Sequence, residues 1–499
     1  MTSDHDKRDG KLDSTVDGGK ESDRSPEERL PDPIVRHHQV SVGGRVLSYT
    51  TTAGMLPVRD DKPDGEGTVE ANLFFTAYTL DDVPDDRRRP LTFTFNGGPG
   101  SASVWLHLGG LAPKRVEMLD DGAMPRPPFS LVANEFTWLP TTDMVFIDPV
   151  DTGYSRATSD DFAKKAKDVK GDIASVGEFI RLFLTRSGRW TSPLFLAGES
   201  YGTYRSAGLA GYLIDKGIAF NGIILISSIL NMQTARFATG NDLPFALFLP
   251  TYAATAWYHG KVTSKRGWRD IRAFLDEVEA WVESDYVPAL SAGDRLDRAT
   301  REGILDGLER YTGLDRAYLD LANLRIHIQA FCKELLRTEG RTAGRLDSRF
   351  KGQDKSGVSQ YPDYDPSMSA IRPPFTSVIN NYIRRELGYE SDREYHILRG
   401  LDWNWGDAVE GYADTSDAMQ AAFARNPYMH LFVASGYYDL ATPYYATLYT
   451  VNHMALDQAA HERIRMEEYP VGHMVYLEQG ALAKLERDVS AFIAKAISG

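Results

Sequence analysis

Cysteine is almost absent: Cys332 is the only one in 499 residues, so no intrachain disulfide can form. No stretch approaches the roughly 18 consecutive apolar residues of a membrane-spanning helix. The opening residues, MTSDHDKRDGKLDSTVDGGK, hold no apolar core and do not read as a secretory signal. One thiol and no leader point to the cytoplasm. There is no His-Glu-x-x-His, no cysteine pair and no Gly-x-Gly-x-x-Gly after the first strand, so neither metal nor cofactor is expected. Positive charge is also short. Against 70 Asp and Glu stand 56 Lys and Arg, and the net charge of −14 argues against nucleic acid or an anionic membrane as partner.

With 42% hydrophobic residues, the chain can bury one large domain carrying an insertion. Residues 1–32 are polar and rich in Gly, Ser and Asp, and are expected to be disordered. Beyond them, VSVGGRVLSYTTTAG carries a Gly-Gly hairpin signal. ANLFFTAYTL and LTFTFN read as strands, being rich in β-branched and aromatic residues. DMVFID, PLFLAG and GIILIS are short apolar runs that read as strands. Helical spacing lies between them in DIASVGEFIRLFLTRSG and TYRSAGLAGYLIDKG, which stop at Gly188 and Gly217. Such alternation predicts a mostly parallel sheet with helices on both faces. It breaks between 235 and 404, which is helical, polar and irregular and reads as an inserted cap. The core is thus expected as 33–234 and 405–499. MHLFVASG and RIRMEEYPVG supply its last strands, and LAKLERDVSAFIAKAI closes it as an amphipathic helix.

Gly198-Glu199-Ser200-Tyr201-Gly202 fits the nucleophile elbow Gly-x-Ser-x-Gly, with an apolar strand before it and a helix after it. A serine hydroxyl is a weak nucleophile and needs a positioned base. The context of the elbow points to the α/β-hydrolase fold, in which the acid and then the histidine follow the serine in chain order. Asp439, after MHLFVASG, and His473, after the last strand, meet that order at strand ends. His37, His38, His453 and His461 lie before the elbow or in helix-like sequence. His259, His327 and His396 are scattered in the cap. Asn96-Gly97-Gly98-Pro99-Gly100 follows LTFTF, and its glycines let backbone N–H groups approach a substrate carbonyl. The N–H groups of Gly98 and Tyr201 are the expected oxyanion donors.

These segments, with Gly436-Tyr437-Tyr438-Asp439, Gly472-His473-Met474-Val475 and Pro149-Val150-Asp151-Thr152-Gly153-Tyr154-Ser155, resemble the serine carboxypeptidase family. The likeness covers roughly 35–230 and 405–495 and suggests a disulfide-free member of bacterial type. It implies that Asn96 and Glu199 bind the terminal carboxylate of a peptide substrate, making a C-terminal exopeptidase. The chain departs from the family pattern at Thr94, where Trp is usual, and at Gly110, where a second Glu is usual. Ser101 replaces a Cys, Gly202-Thr203 an Ala-Gly, and Ser227-Ser228 a Gly-Asn. The same triad serves an esterase, amidase or acyltransferase, and the scaffold also serves non-catalytic binding proteins. These readings stay open at the level of sequence.

Overall fold

The computed structural model describes residues 30–60, 67–85, 88–262, 268–406 and 411–498. The expected disordered tail falls largely on residues 1–29, outside those described. Nine main strands are β1 (Ile34–Val42), β2 (Arg45–Arg59), β3 (Val69–Leu80), β4 (Leu91–Phe95), β5 (Asp143–Ile147), β6 (Leu194–Ser200), β7 (Gly222–Ser228), β8 (His430–Gly436) and β9 (Ile464–Tyr469). They form one sheet in the order β1-β2-β3-β5-β4-β6-β7-β8-β9, with the short Arg156–Ala157 strand added on β3. The first three strands are an antiparallel meander, and β3 meets β5 antiparallel. From β5 onward every neighbour is parallel.

The inner parallel strands are buried and largely apolar because both faces are covered, whereas the edge strand β9 carries Arg465, Glu467 and Glu468. Phe195 and Ala197 of β6 turn to one face with Ile224, Ile226 and Phe492, the last from the C-terminal helix Gln479–Ser498. Leu194 and Leu196 turn to the other with Ile223, Leu225, Ile180 and Leu213. Ile180 belongs to helix α1 (Val169–Ser187) and Leu213 to helix α2 (Tyr201–Ile214). Asp168 starts α1 by accepting the Gly171 N–H at 2.6 Å, and Gly188 ends it at φ 68°.

Between β7 and β8 the chain runs through helices that include Leu249–Tyr258, Ile271–Trp281, Arg298–Thr312 and Pro366–Tyr382. The sequence reads as polar there, yet the first three of these helices bury a hydrophobic cluster of their own around Tyr252, Phe274 and Leu308, joined by Phe331, while Pro366–Tyr382 packs Ile371, Phe375 and Ile379 into the sheet core. The cluster extends into Tyr437, Tyr438, Leu440 and Tyr444 after β8. This stretch therefore packs onto the loop that carries Asp439. No helix among the described residues is long and apolar enough to cross a membrane.

Candidate active site

Every residue singled out by motif lies at the carboxyl end of a parallel strand, where the sheet opens towards the helices that follow. Asn96 follows β4, Ser200 ends β6, Asp439 follows β8 and His473 follows β9. Ser200 sits at φ 58° and ψ −130°, a conformation that costs a non-glycine residue roughly 1–3 kcal/mol. The strain is held by close packing. A Cβ on Gly198 would come 2.2 Å from the Gly202 carbonyl oxygen, and one on Gly97 would come 2.3 Å from the Tyr201 nitrogen. Only glycine lets the β4 loop lie that close to the elbow.

His473 Nδ1 and Asp439 Oδ2 are 2.7 Å apart, with the histidine 4% and the aspartate 0% exposed. The remaining acceptor capacity of Asp439 is used. Its Oδ1 takes the N–H groups of Ala441 and Thr442, and its Oδ2 takes the Thr442 hydroxyl at 2.7 Å. The carboxylate is thereby aimed at the imidazole. Burial pulls the His473 pKa down, but the charge and hydrogen bond of Asp439, helped by Glu199, leave it above the ordinary histidine value. The Ser200 hydroxyl makes no hydrogen bond to His473 here. Catalytic hydrogen bonds in free enzymes are commonly long and tighten with substrate.

Asn96 Nδ2 donates to Glu199 Oε1 at 3.0 Å, and Asn96 Oδ1 accepts the Leu106 N–H. Both side chains are buried, at 1% and 2% exposure. Burial drives the Glu199 carboxyl up to about 7; the Asp439 charge adds to this, while His473, Tyr476 and Asn96 oppose it. Glu199 Oε2 and the Tyr476 hydroxyl are each buried without a hydrogen-bond partner among the described residues. They lie close enough to act on one another: burial, then Glu199, pushes the Tyr476 phenol far above its usual range. The Tyr476 ring lies over Gly109 and Gly110. A Cβ on Gly110 would be 2.8 Å from Tyr476 Cβ, so the glycine makes room for that ring.

Gly98, Ser200 and Tyr201 line a cavity of about 290 Å³, together with Thr442, Met232, Phe237, Phe248 and Ile328. Gly98 and Tyr201, whose N–H groups are the expected oxyanion donors, thus share one cavity with Ser200. Asn96 and Glu199 do not line this cavity.

Motif reading missed several supports. Arg205 of α2 is 1% exposed; it donates to Asp172 Oδ2 and to the Asn96 carbonyl, each at 2.8 Å. The Tyr201 hydroxyl reaches the same Asp172 oxygen at 3.1 Å. One buried ion pair therefore ties the elbow helix, the β4 loop and α1 together. Ser227, where the family pattern has Gly, donates its hydroxyl to the His473 carbonyl. The His473 N–H donates to the Leu346 carbonyl at 2.7 Å, and the Leu440 N–H to the Arg345 carbonyl at 3.0 Å. Residues 345–348 thus brace both late loops. The sequence marks Ser227 only as a departure from the family pattern, and Arg205 is legible as a charged residue in otherwise small and apolar surroundings; the 345–348 contacts have no signal in the sequence.

The family model described as serine carboxypeptidase matches residues 64–483. The chain belongs to the serine carboxypeptidase family. Among curated serine carboxypeptidase relatives, Serine carboxypeptidase-like 2 of Arabidopsis thaliana is 30% identical over 135 residues, covering 26% of this chain and 29% of that one. The pheromone-processing carboxypeptidase KEX1 of Saccharomyces cerevisiae is 31% identical over 156 residues, covering 30% of this chain and 20% of that one. Both alignments span less than a third of the relative. A crystal structure of the prohormone-processing carboxypeptidase of Saccharomyces cerevisiae superposes with a TM-score of 0.53 at 16% identity, covering 89% of this chain and 91% of that one. That likeness shows a shared fold.

Proposed function

We propose that this protein is a serine carboxypeptidase that releases C-terminal amino acids from peptides through an acyl-enzyme on Ser200. The observation that carries this reading beyond a general serine hydrolase is the buried Asn96–Glu199 hydrogen bond next to the nucleophile. In the first half-reaction the Ser200 Oγ attacks the carbonyl of the terminal peptide bond, and His473 Nε2 takes the hydroxyl proton. Asp439 holds the imidazole in the tautomer with the proton on Nδ1 and stabilises the imidazolium that forms. The oxyanion is met by the Gly98 and Tyr201 N–H groups. His473 then gives its proton to the leaving amine. Water repeats the sequence and frees the acid.

The terminal carboxylate of the substrate is held by Asn96 and by Glu199 in its protonated form. Two carboxylates in contact cannot both stay charged at low cost, and a carboxyl that titrates near 7 readily shares its proton. The deciding experiment compares blocked dipeptides with their C-terminal amides and esters, using Ser200→Ala as control. A strong preference for the free acid, absent from the control, supports the carboxypeptidase. Equal rates for acid and amide would leave only an esterase, amidase or acyltransferase. No turnover and no labelling of Ser200 by an organophosphonate would leave a non-catalytic binding protein.

A further inference from the structure

The cavity at Ser200 has a charge opposite to that of the chain. Among the described residues no Asp or Glu lines it, whereas Arg236 and Arg345 both do. Neither guanidinium has a carboxylate partner among the described residues. Some other arginines between β7 and β8 are committed to carboxylates. Arg325 is bidentate on Asp242 at 2.7 Å, Arg349 pairs with Asp347, and Arg272 with Asp276, Glu279 and Glu468.

Both are placed by the fold. The Arg236 guanidinium lies over the Trp405 ring, 5.5 Å from its centroid, and Trp405 packs edge-on against Tyr201 at 5.7 Å. The Arg345 carbonyl accepts the Leu440 N–H, which fixes that residue one step from Asp439. Beside them, Met232, Phe237, Phe248 and Ile328 give the cavity an apolar wall, and Ser200 and Thr442 are its other polar side chains of note. An arginine presents a fork of donors matched to a carboxylate. A basic mouth over low-dielectric walls also draws anions in. Asn96 and Glu199, the proposed holders of the terminal residue, lie outside the cavity, which leaves it to the residue on the acyl side of the scissile bond.

We infer that Arg236 and Arg345 form a carboxylate-binding subsite that selects Glu or Asp on the acyl side of the bond cleaved. This rests on the serine-hydrolase reading above and deepens it with a substrate class. It is tested on ethyl esters of N-acetyl-Glu, N-acetyl-Gln and N-acetyl-Lys, which have an acyl residue and no free terminal carboxylate. The Glu ester is expected to exceed the isosteric Gln ester in kcat/KM by about tenfold at low salt. The preference should shrink at about 0.5 M salt, since both arginines are exposed. Arg236→Ala with Arg345→Ala should bring the Glu ester down to the level of the Gln ester. Arg345→Glu should raise the Lys ester above the Glu ester. Parity of Glu and Gln esters in the wild type overturns the inference, as do equal losses on both esters in the double variant. It is also overturned if the double variant erases the acid-over-amide preference on blocked dipeptides while Glu and Gln esters stay at parity, because the arginines would then hold the terminal carboxylate. Absence of turnover on every ester, with Ser200 unlabelled, defeats the hydrolase reading itself and is a separate outcome.

Discussion

On the sheet side of Ser200, Asn96, Asp172, Glu199 and Arg205 are each at most 3% exposed and bond to one another or to backbone. On the side facing the helices between β7 and β8, Arg236 and Arg345 are exposed and pair with no carboxylate among the described residues. The same guanidinium chemistry does different work in the two places. Buried, Arg205 is committed to Asp172, and its removal strands a charge in the core. Exposed, Arg236 and Arg345 have no such commitment and keep their donors for a substrate. The sheet side should therefore govern whether the enzyme folds and turns over, and the helical side what it selects.

The sharpest break in that comparison is at the triad. Ser200→Ala and His473→Ala should each lower kcat on the order of a million-fold, and the double variant little further, because the groups act as a unit. Asp439→Asn should cost less, about ten-thousand-fold, since it misorients the imidazole without removing the base. Single-turnover kinetics on one blocked dipeptide checks all three.

Next is the buried ion pair. Arg205→Ala should destabilise the fold by about 3–5 kcal/mol, read from denaturant unfolding, because Asp172 is left uncompensated at 3% exposure. Removing Asp172 as well should cost less than the two single losses added together. A shift under 1 kcal/mol for Arg205→Ala, on the scale of an exposed pair, would erase the distinction between the two sides.

A pH series sharpens the comparison further. Glu199 must be protonated to share a proton with the substrate, and burial raises it to about 7, so affinity for free acids is expected below that pH and lost as pH rises through it. His473 must be neutral, and its raised pKa sets the acid limb, so turnover falls as pH drops through that value. Peptidase activity is squeezed between the two, while ester hydrolysis meets only the acid limb. Glu199→Gln should shift the peptidase optimum upward. It should also move the ester acid limb slightly down, since the Glu199 charge helps to raise His473. Parallel KM profiles for an acid and its amide in the wild type would show that Glu199 does not read a carboxylate.

The smallest effect is expected at Tyr476. Tyr476→Phe removes a buried hydroxyl beside Glu199 and keeps the ring that fills the space over Gly110. KM for free acids should rise roughly two- to fivefold with amides unchanged. An equal change for acids and amides would make Tyr476 a packing residue only.

The sheet was legible because its inner parallel strands are largely apolar and helix α1 ends at a glycine, signals that short stretches carry by themselves. β2 was less so. It runs on through Gly54 and Pro57, residues that argue against a strand. They are tolerated because the pairing with β1 ends at Ala53, leaving that half of β2 an edge, where a missing N–H disrupts no ladder. Between 235 and 404 the helical character was visible but the packing was not, because its apolar cluster is assembled from faces far apart in the chain and from Tyr437, Tyr438 and Leu440 beyond β8.

The sequence by itself determined the elbow at Ser200, the order of Asp439 and His473 after it, and the glycine-rich loop at Asn96. Each is fixed by a local requirement: a turn only small residues allow, or a strand end that places the next side chain. Tertiary structure alone decided what surrounds them. It brought Arg205 under the elbow, Leu346 to the His473 N–H, Tyr476 into the space over Gly110, and Arg236 and Arg345 to one cavity from positions more than a hundred residues apart. Contacts between distant segments depend on how whole layers pack, and no local pattern encodes them.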